Sequence, residues 1–218
     1  MAKPSLTLAA LRDGAADFAE QECRHKEPSL FGVTDGKAVG TYLEQKFLAH
    51  LESVYRFTTG SSAKGIDLPS LDVDIKTTSI KQPQSSCPFK SARQKLYGLG
   101  YSLLVFVYNK TDDQRAKTAN LDIQHVIFVK RDQTADFQMT RGLREIIDRD
   151  GNEDDLVAFM QDKMLPVDDV EASQIARDLL KSRPKQGYLT ISNAFQWRLQ
   201  YKRVIDSAGT VSGIVRVR

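Results

Sequence analysis

The sequence predicts an α/β fold in which helices cover a central sheet, in the element order αβββαβ, with a mainly helical C-terminal part after it. Three observations carry this. Two amphipathic stretches fill most of the first 54 residues, Tyr101–Tyr108 is almost uninterruptedly apolar at strand length, and from Thr140 the apolar spacing turns helical. A length of 218 residues suits one domain, or one core with a small appendage. With 41% hydrophobic and 27% charged residues, global disorder and fibrous repeats are excluded.

The elements follow in order. Ser5 to Glu20 carries Leu6, Leu8, Leu11 and Phe18 at mostly helical spacing. A loop from Pro28 to Gly36 leads into a second helix, from about Lys37 to Val54, on which Val39, Leu43, Phe47 and Leu51 recur every four residues. Glu44 lies beside that stripe. Tyr55–Thr59, Gly65–Leu68 and Val73–Thr78 read as three short strands, and Lys81–Lys90, with two prolines and two serines, as a loop. Ser91 is placed to cap a short helix ending near Gly98. Tyr101–Tyr108 reads as a buried central strand, with Leu121–Val129 its neighbour after a polar loop at Thr111–Thr118. Helices are expected at Leu143–Ile147, Asp154–Met164, Asp168–Leu180 and Ser192–Arg203. Val204-Ile205 and Ile214–Val217 then resemble a hairpin around Ala208-Gly209. The division falls near residue 130: a core over 1–130 and a helical region over 131–218.

Charge is unevenly spread. The net +3 hides an acidic stretch at 131–180, with 6 basic against 13 acidic residues, and a basic one at 181–218, with 8 against 1. The basic segment points to a polyanionic partner, or to a well-solvated surface. No apolar run approaches the roughly 20 residues of a membrane helix, and Met1-Ala2-Lys3-Pro4 lacks an apolar signal core, so a cytoplasmic protein without membrane contact is expected. Cys23 and Cys87 form no CxxC pair, and with three histidines a metal site here is one of oxygen ligands. Cys87 reads as a packed thiol. The Ser61–Gly65 stretch lacks the spacing of a phosphate-binding loop.

The sharpest constellation is Asp67 with Asp74-Ile75-Lys76. Two carboxylates on neighbouring extended segments can converge on one magnesium ion, which prefers oxygen ligands and keeps several waters. Alternation along a strand puts Asp74 and Lys76 on one face. Lys76 is then placed to serve a water attacking a phosphate whose charge the metal stabilises. Glu44 is a further member, direct or through water. Asp72 shares the alternation but has no lysine two residues on. A chance cluster on an exposed strand edge is the bland alternative.

Glu44…Asp67…Asp74-Ile75-Lys76, in this element order over about Lys37 to Val129, resembles the active site of the PD-(D/E)xK nuclease superfamily. The resemblance implies a restriction-endonuclease-like αβββαβ core with a mixed central sheet, Mg²⁺ held by Asp67 and Asp74, and Lys76 near the attacking water. Ile66 stands where many members have proline. Gln94 and Tyr97 are similar to a Gln–Tyr helix of exonuclease-type relatives, one residue shorter, which makes Gln94 a candidate DNA contact. Size and the stretch Pro83–Phe89 look like type II restriction endonucleases. The reading this implies is a sequence-specific, double-stranded DNA endonuclease, acting as a homodimer, with a cognate methyltransferase expected genetically. A repair or recombination nuclease without strict specificity, and an inactive DNA-binding regulator, remain open beside it.

The last segment has two readings. Its helix-then-hairpin order resembles a winged helix, in which Asn193, Gln196, Arg198, Lys202 and Arg203 would face DNA. The other reading is a helical cap packed on the sheet.

Overall fold

A computed structural model of the chain describes residues 3–60, 66–87, 90–192 and 198–218. Helix α1 (Leu8–Arg24) starts at Thr7, whose hydroxyl accepts from the Ala10 amide, and α2 (Gly36–Val54) starts at Asp35, whose carboxylate accepts from the Lys37 amide. Strand β1 (Val73–Ser79) follows, then the short β2 (Gln84–Ser86) and α3 (Gln94–Tyr97). Two long strands, β3 (Ser102–Asp113) and β4 (Thr118–Val129), form a hairpin. Helices α4 (Phe137–Ile147), α5 (Glu153–Asp162) and α6 (Asp169–Lys181) come next, each with an Asp or Asn cap. The chain closes with β5 (Thr190–Ile191), β6 (Arg198–Gln200), α7 (Lys202–Ser207) and β7 (Ile214–Arg216).

The main sheet runs β1-β3-β4-β7, and only the β1–β3 pair is parallel, so the sheet is mixed as expected. Beside it, β2, β6 and β5 form a small antiparallel sheet. The two faces of β3 explain its unbroken apolar run. Leu104, Phe106 and Tyr108 pack under α1 and α2, while Leu103, Val105 and Val107 meet Leu189, Ile191, Leu199 and Tyr201 on the other side. A third cluster joins α4, α5 and α6 through Leu143, Leu156, Met160 and Ile175. Among the described residues no helix is long and apolar enough to cross a membrane.

Several expectations are corrected. Tyr55–Thr59 is not a strand, since its pairing is a single bridge from Arg56 to Ser5. Gly65–Leu68 falls partly outside the described residues, and Leu68 makes one bridge to Val73 before Pro69–Leu71 turns as a 3-10 helix. Much of the Thr111–Thr118 loop is ladder, with β3 running to Asp113. The helix expected over Ser192–Arg203 is overturned where it can be seen. Arg198–Gln200 is a strand, paired with β2 and β5, and its exposed–buried–exposed pattern is that of a half-buried strand. Val204-Ile205, expected as a strand, lies in α7, so the winged-helix order is absent from the described residues. Asn193 and Gln196 lie outside the described residues. β7 returns to the main sheet, so residues beyond 130 complete the core as well as forming the helical cluster.

A polar network ties α1 to α2. Lys46 meets the buried Glu22 at 2.8 Å, and the Tyr42 hydroxyl lies 3.1 Å from Glu22 and 3.0 Å from Glu27. Glu27 also accepts from His25, at 3.0 Å, and from the Ser29 amide and hydroxyl. Led by the His25 bond, these partners pull its carboxyl down to about 2. A depressed acid stabilises the fold above its ordinary range near pH 4.5, and that contribution disappears as pH falls toward 2. Glu27→Gln is therefore expected to cost about 1 kcal/mol at pH 7, after allowance for solvent screening, and almost nothing near pH 2. Urea midpoints of both proteins at the two pH values check it.

Candidate active site

The site forms at the free edge of β1. This strand is an edge of the main sheet, so its outward amides need partners other than a strand. The Ile75 amide donates to Asp67 Oδ2 at 2.7 Å, which draws the Asp67 side chain onto the strand between Asp74 and Lys76. The Asp67 carbonyl in turn accepts from the Gly60 amide at 2.8 Å, and a Cβ on Gly60 would stand 1.8 Å from the Ile66 carbonyl oxygen. Only glycine allows that approach. Asp72 has a structural task. Its left-handed backbone (φ 52°) ends the preceding turn, and its carbonyl accepts from the Ser102 amide to start the β1–β3 ladder. It lies before the strand, so the alternation that made it a rival of Asp74 does not extend to it.

Asp74 is 3% exposed, with Lys76 Nζ 2.6 Å from its Oδ2. The contact is an ion pair off the hydrogen-bond direction, which leaves this buried oxygen an unsatisfied acceptor. Burial above all pushes the Asp74 carboxyl up to about 7. Lys76 pulls it back, and a hydrogen bond and like charge from Asp67 push it further up. For Lys76, burial disfavours the ammonium, but the close negative charge of Asp74 outweighs it, so the net shift is upward and the amine stays protonated. Glu44 reaches the site from α2. Its carboxyl is raised by burial and by Asp67, against the pull of Lys76. Gly40 lets α2 approach, because a Cβ there would lie 2.6 Å from Thr77 Oγ1. Asp67, Asp74, Lys76 and Glu44 thus gather at one place.

Sequence reasoning missed the wall behind Asp74. Cys87, Tyr101 and Tyr201 line it: Cys87 Sγ is 3.6 Å from the Tyr101 hydroxyl, and the Tyr201 hydroxyl is 2.6 Å from Ser85 Oγ. Burial raises the Cys87 thiol, which fits a packed side chain and not a nucleophile. The one available signal was the alternation at 198–201, too short to separate from helical spacing.

In front of the site lies a groove of about 1120 Å³ onto which Glu44 and Lys76 open. Lys37, Lys81, Lys110 and Arg198 also line it, against Asp112 as a further acid. Gln94, Lys202 and Arg203 are not brought there. Gln94 accepts from the Lys90 amide and donates to the Leu99 carbonyl, Lys202 pairs with Asp206, and Arg203 stacks 3.7 Å above the Phe137 ring.

The donor set fits a hard divalent cation: carboxylate oxygens, one buried without a hydrogen-bond donor. Among the described residues no three His, Cys, Asp or Glu side chains form a complete metal cage. A cation bound here keeps waters.

Comparison with known proteins places this geometry in context. The chain matches the family described as type II restriction enzyme NspV over residues 5–216. It is 61% identical over 212 residues to the type II restriction enzyme NspV of Nostoc sp., an alignment covering 97% of this chain and 96% of that protein. No solved structure matches it.

Proposed function

The chain belongs to the family of type II restriction enzyme NspV, and from that premise we propose that it is a sequence-specific endonuclease hydrolysing phosphodiester bonds in double-stranded DNA. The observation that carries the catalytic assignment is the convergence of Asp67, Asp74 and Lys76 on the edge of β1, beside a groove rich in cations. A divalent cofactor goes with the class, and Mg²⁺ suits the donors. Asp67 and Asp74 would hold it, and when bound it supplies positive charge against the charge developing on the phosphate.

The chain's own groups do the rest. Lys76, kept as an ammonium, donates hydrogen bonds that orient the attacking water and steady the phosphate oxygens. Glu44, made more basic by its surroundings, accepts a proton from that water. The lysines of the groove, Lys37, Lys81 and Lys110, grip the phosphate backbone. Cutting both strands at a palindromic site calls for two copies related by a two-fold axis, so the working form is a homodimer. A separate methyltransferase of matching specificity protects the host DNA, and the enzyme works in the cytoplasm, where that DNA lies.

Purified protein incubated with phage DNA and Mg²⁺ is expected to give discrete fragments, none with EDTA, and to sediment at twice the 24.5 kDa chain mass. A smear, or DNA left whole, overturns the assignment.

A further inference from the structure

We propose that the outer face of the small β2–β6–β5 sheet reads base edges, with Arg198, Gln84 and Gln200 as specificity-determining side chains; this rests on the endonuclease reading above. Residues directly opposite in antiparallel strands share a face. The register sets Gln84 opposite Gln200, Ser86 opposite Arg198, and Thr190 opposite Gln200. One face of this sheet therefore carries three uncharged hydrogen-bonders and a hydroxyl partner beside one arginine, and no acid. The other face is mostly apolar: Leu199 and Ile191 are buried in the core beneath β3, and Ser85, opposite Leu199, hydrogen-bonds the Tyr201 hydroxyl. Such a sheet is anchored from behind and presents its polar side to whatever fills the groove.

Three members of that face, Gln84, Ser86 and Arg198, line the same groove as Glu44 and Lys76. Among the described residues, the side chains of Gln84, Arg198 and Gln200 have no hydrogen-bond or ion-pair partner. The contrast with Gln94, Lys202 and Arg203, all engaged within the protein, is direct. Strands of this width enter the major groove, where an arginine fork matches guanine O6 and N7 and a glutamine amide matches adenine N6 and N7.

The sheet is also fixed relative to the chemistry. Thr78, on the same face of β1 as Asp74 and Lys76, holds β2 at both ends of one residue: its hydroxyl oxygen lies 2.9 Å from the Gln84 amide nitrogen and 3.1 Å from the Gln84 carbonyl oxygen. Reading face and cutting edge move as one body, so the bases read determine which phosphate reaches Lys76.

Sequencing the ends of phage DNA cut by the wild-type enzyme gives its consensus. A 20-bp duplex carrying that consensus and one with the site scrambled are the probes, with Ca²⁺ replacing Mg²⁺ to keep them whole. Arg198→Ala is expected to lower the preference for the consensus duplex roughly 10- to 100-fold, with scrambled-duplex binding within about threefold of wild type. Arg198→Lys behaves alike, because lysine keeps the charge but not the fork. Gln84→Ala and Gln200→Ala each lower the preference by roughly 10-fold, and the cut ends they leave relax at one base pair. Circular-dichroism melts confirm folding. Equal loss on both duplexes, or an unchanged preference, overturns the proposal. No consensus and no preference in the wild type would instead sink the endonuclease reading.

Discussion

Asp74→Asn is expected to lower DNA cleavage by roughly 10³-fold or more while leaving duplex binding within about threefold of wild type. The exchange keeps the shape of the side chain and removes only the charge, at a position 3% exposed where solvent cannot substitute for it. Lys76→Met should fall nearly as far, because the ammonium that orients the water is lost. Glu44→Gln should fall less, roughly 10- to 100-fold, since water can deliver its proton elsewhere. The order matters as much as the size. Single-turnover cleavage of a consensus duplex, with binding measured separately, gives both. An Asp74→Asn enzyme that cuts at the normal rate removes the assignment.

Phe47→Ala is expected to cost about 3–5 kcal/mol of folding stability, a large share of what a domain of this kind has. Phe47 is fully buried, with its ring 5.2 Å from that of Phe18 and 5.0 Å from that of Phe106. These three rings join α1, α2 and the central strand at one point. Truncation opens a cavity there that no neighbour can fill without moving a helix. Denaturant midpoints measure the loss, and Phe47→Leu should recover more than half of it. Because Glu44 sits one turn earlier on α2, residual activity should follow Glu44→Gln more than wild type at temperatures where the variant is still folded.

The layered core and the grouping at the candidate site were legible because each rests on a local, chemically distinctive pattern. The four-residue recurrence of Val39, Leu43, Phe47 and Leu51 places α2 correctly, and the unbroken run through Val107 announces a strand buried on both faces. Asp74 and Lys76 stand two apart, which is visible in any strand. Asp67 was legible by type but not by position, since what holds it is a single bond to the Ile75 amide. The small sheet was not legible. Its strands have two or three residues, too few to show a period, and their pairing joins Gln84 to Gln200 across more than a hundred positions. Leu199 and Tyr201, buried in the second cluster, stand four residues after Phe195 and Trp197, a spacing that helix and strand both satisfy. Tertiary pairing decided between them.

The pairing of β2 with β6 alone has a consequence for the newborn chain. During translation Asp67, Asp74 and Lys76 leave the ribosome well ahead of Arg198, yet β2 stays without a strand partner until β6 emerges. The face proposed to read bases is thus completed only late in synthesis. A shorter, unfinished chain carries the two acids and the lysine without the residues that would face a duplex beside them.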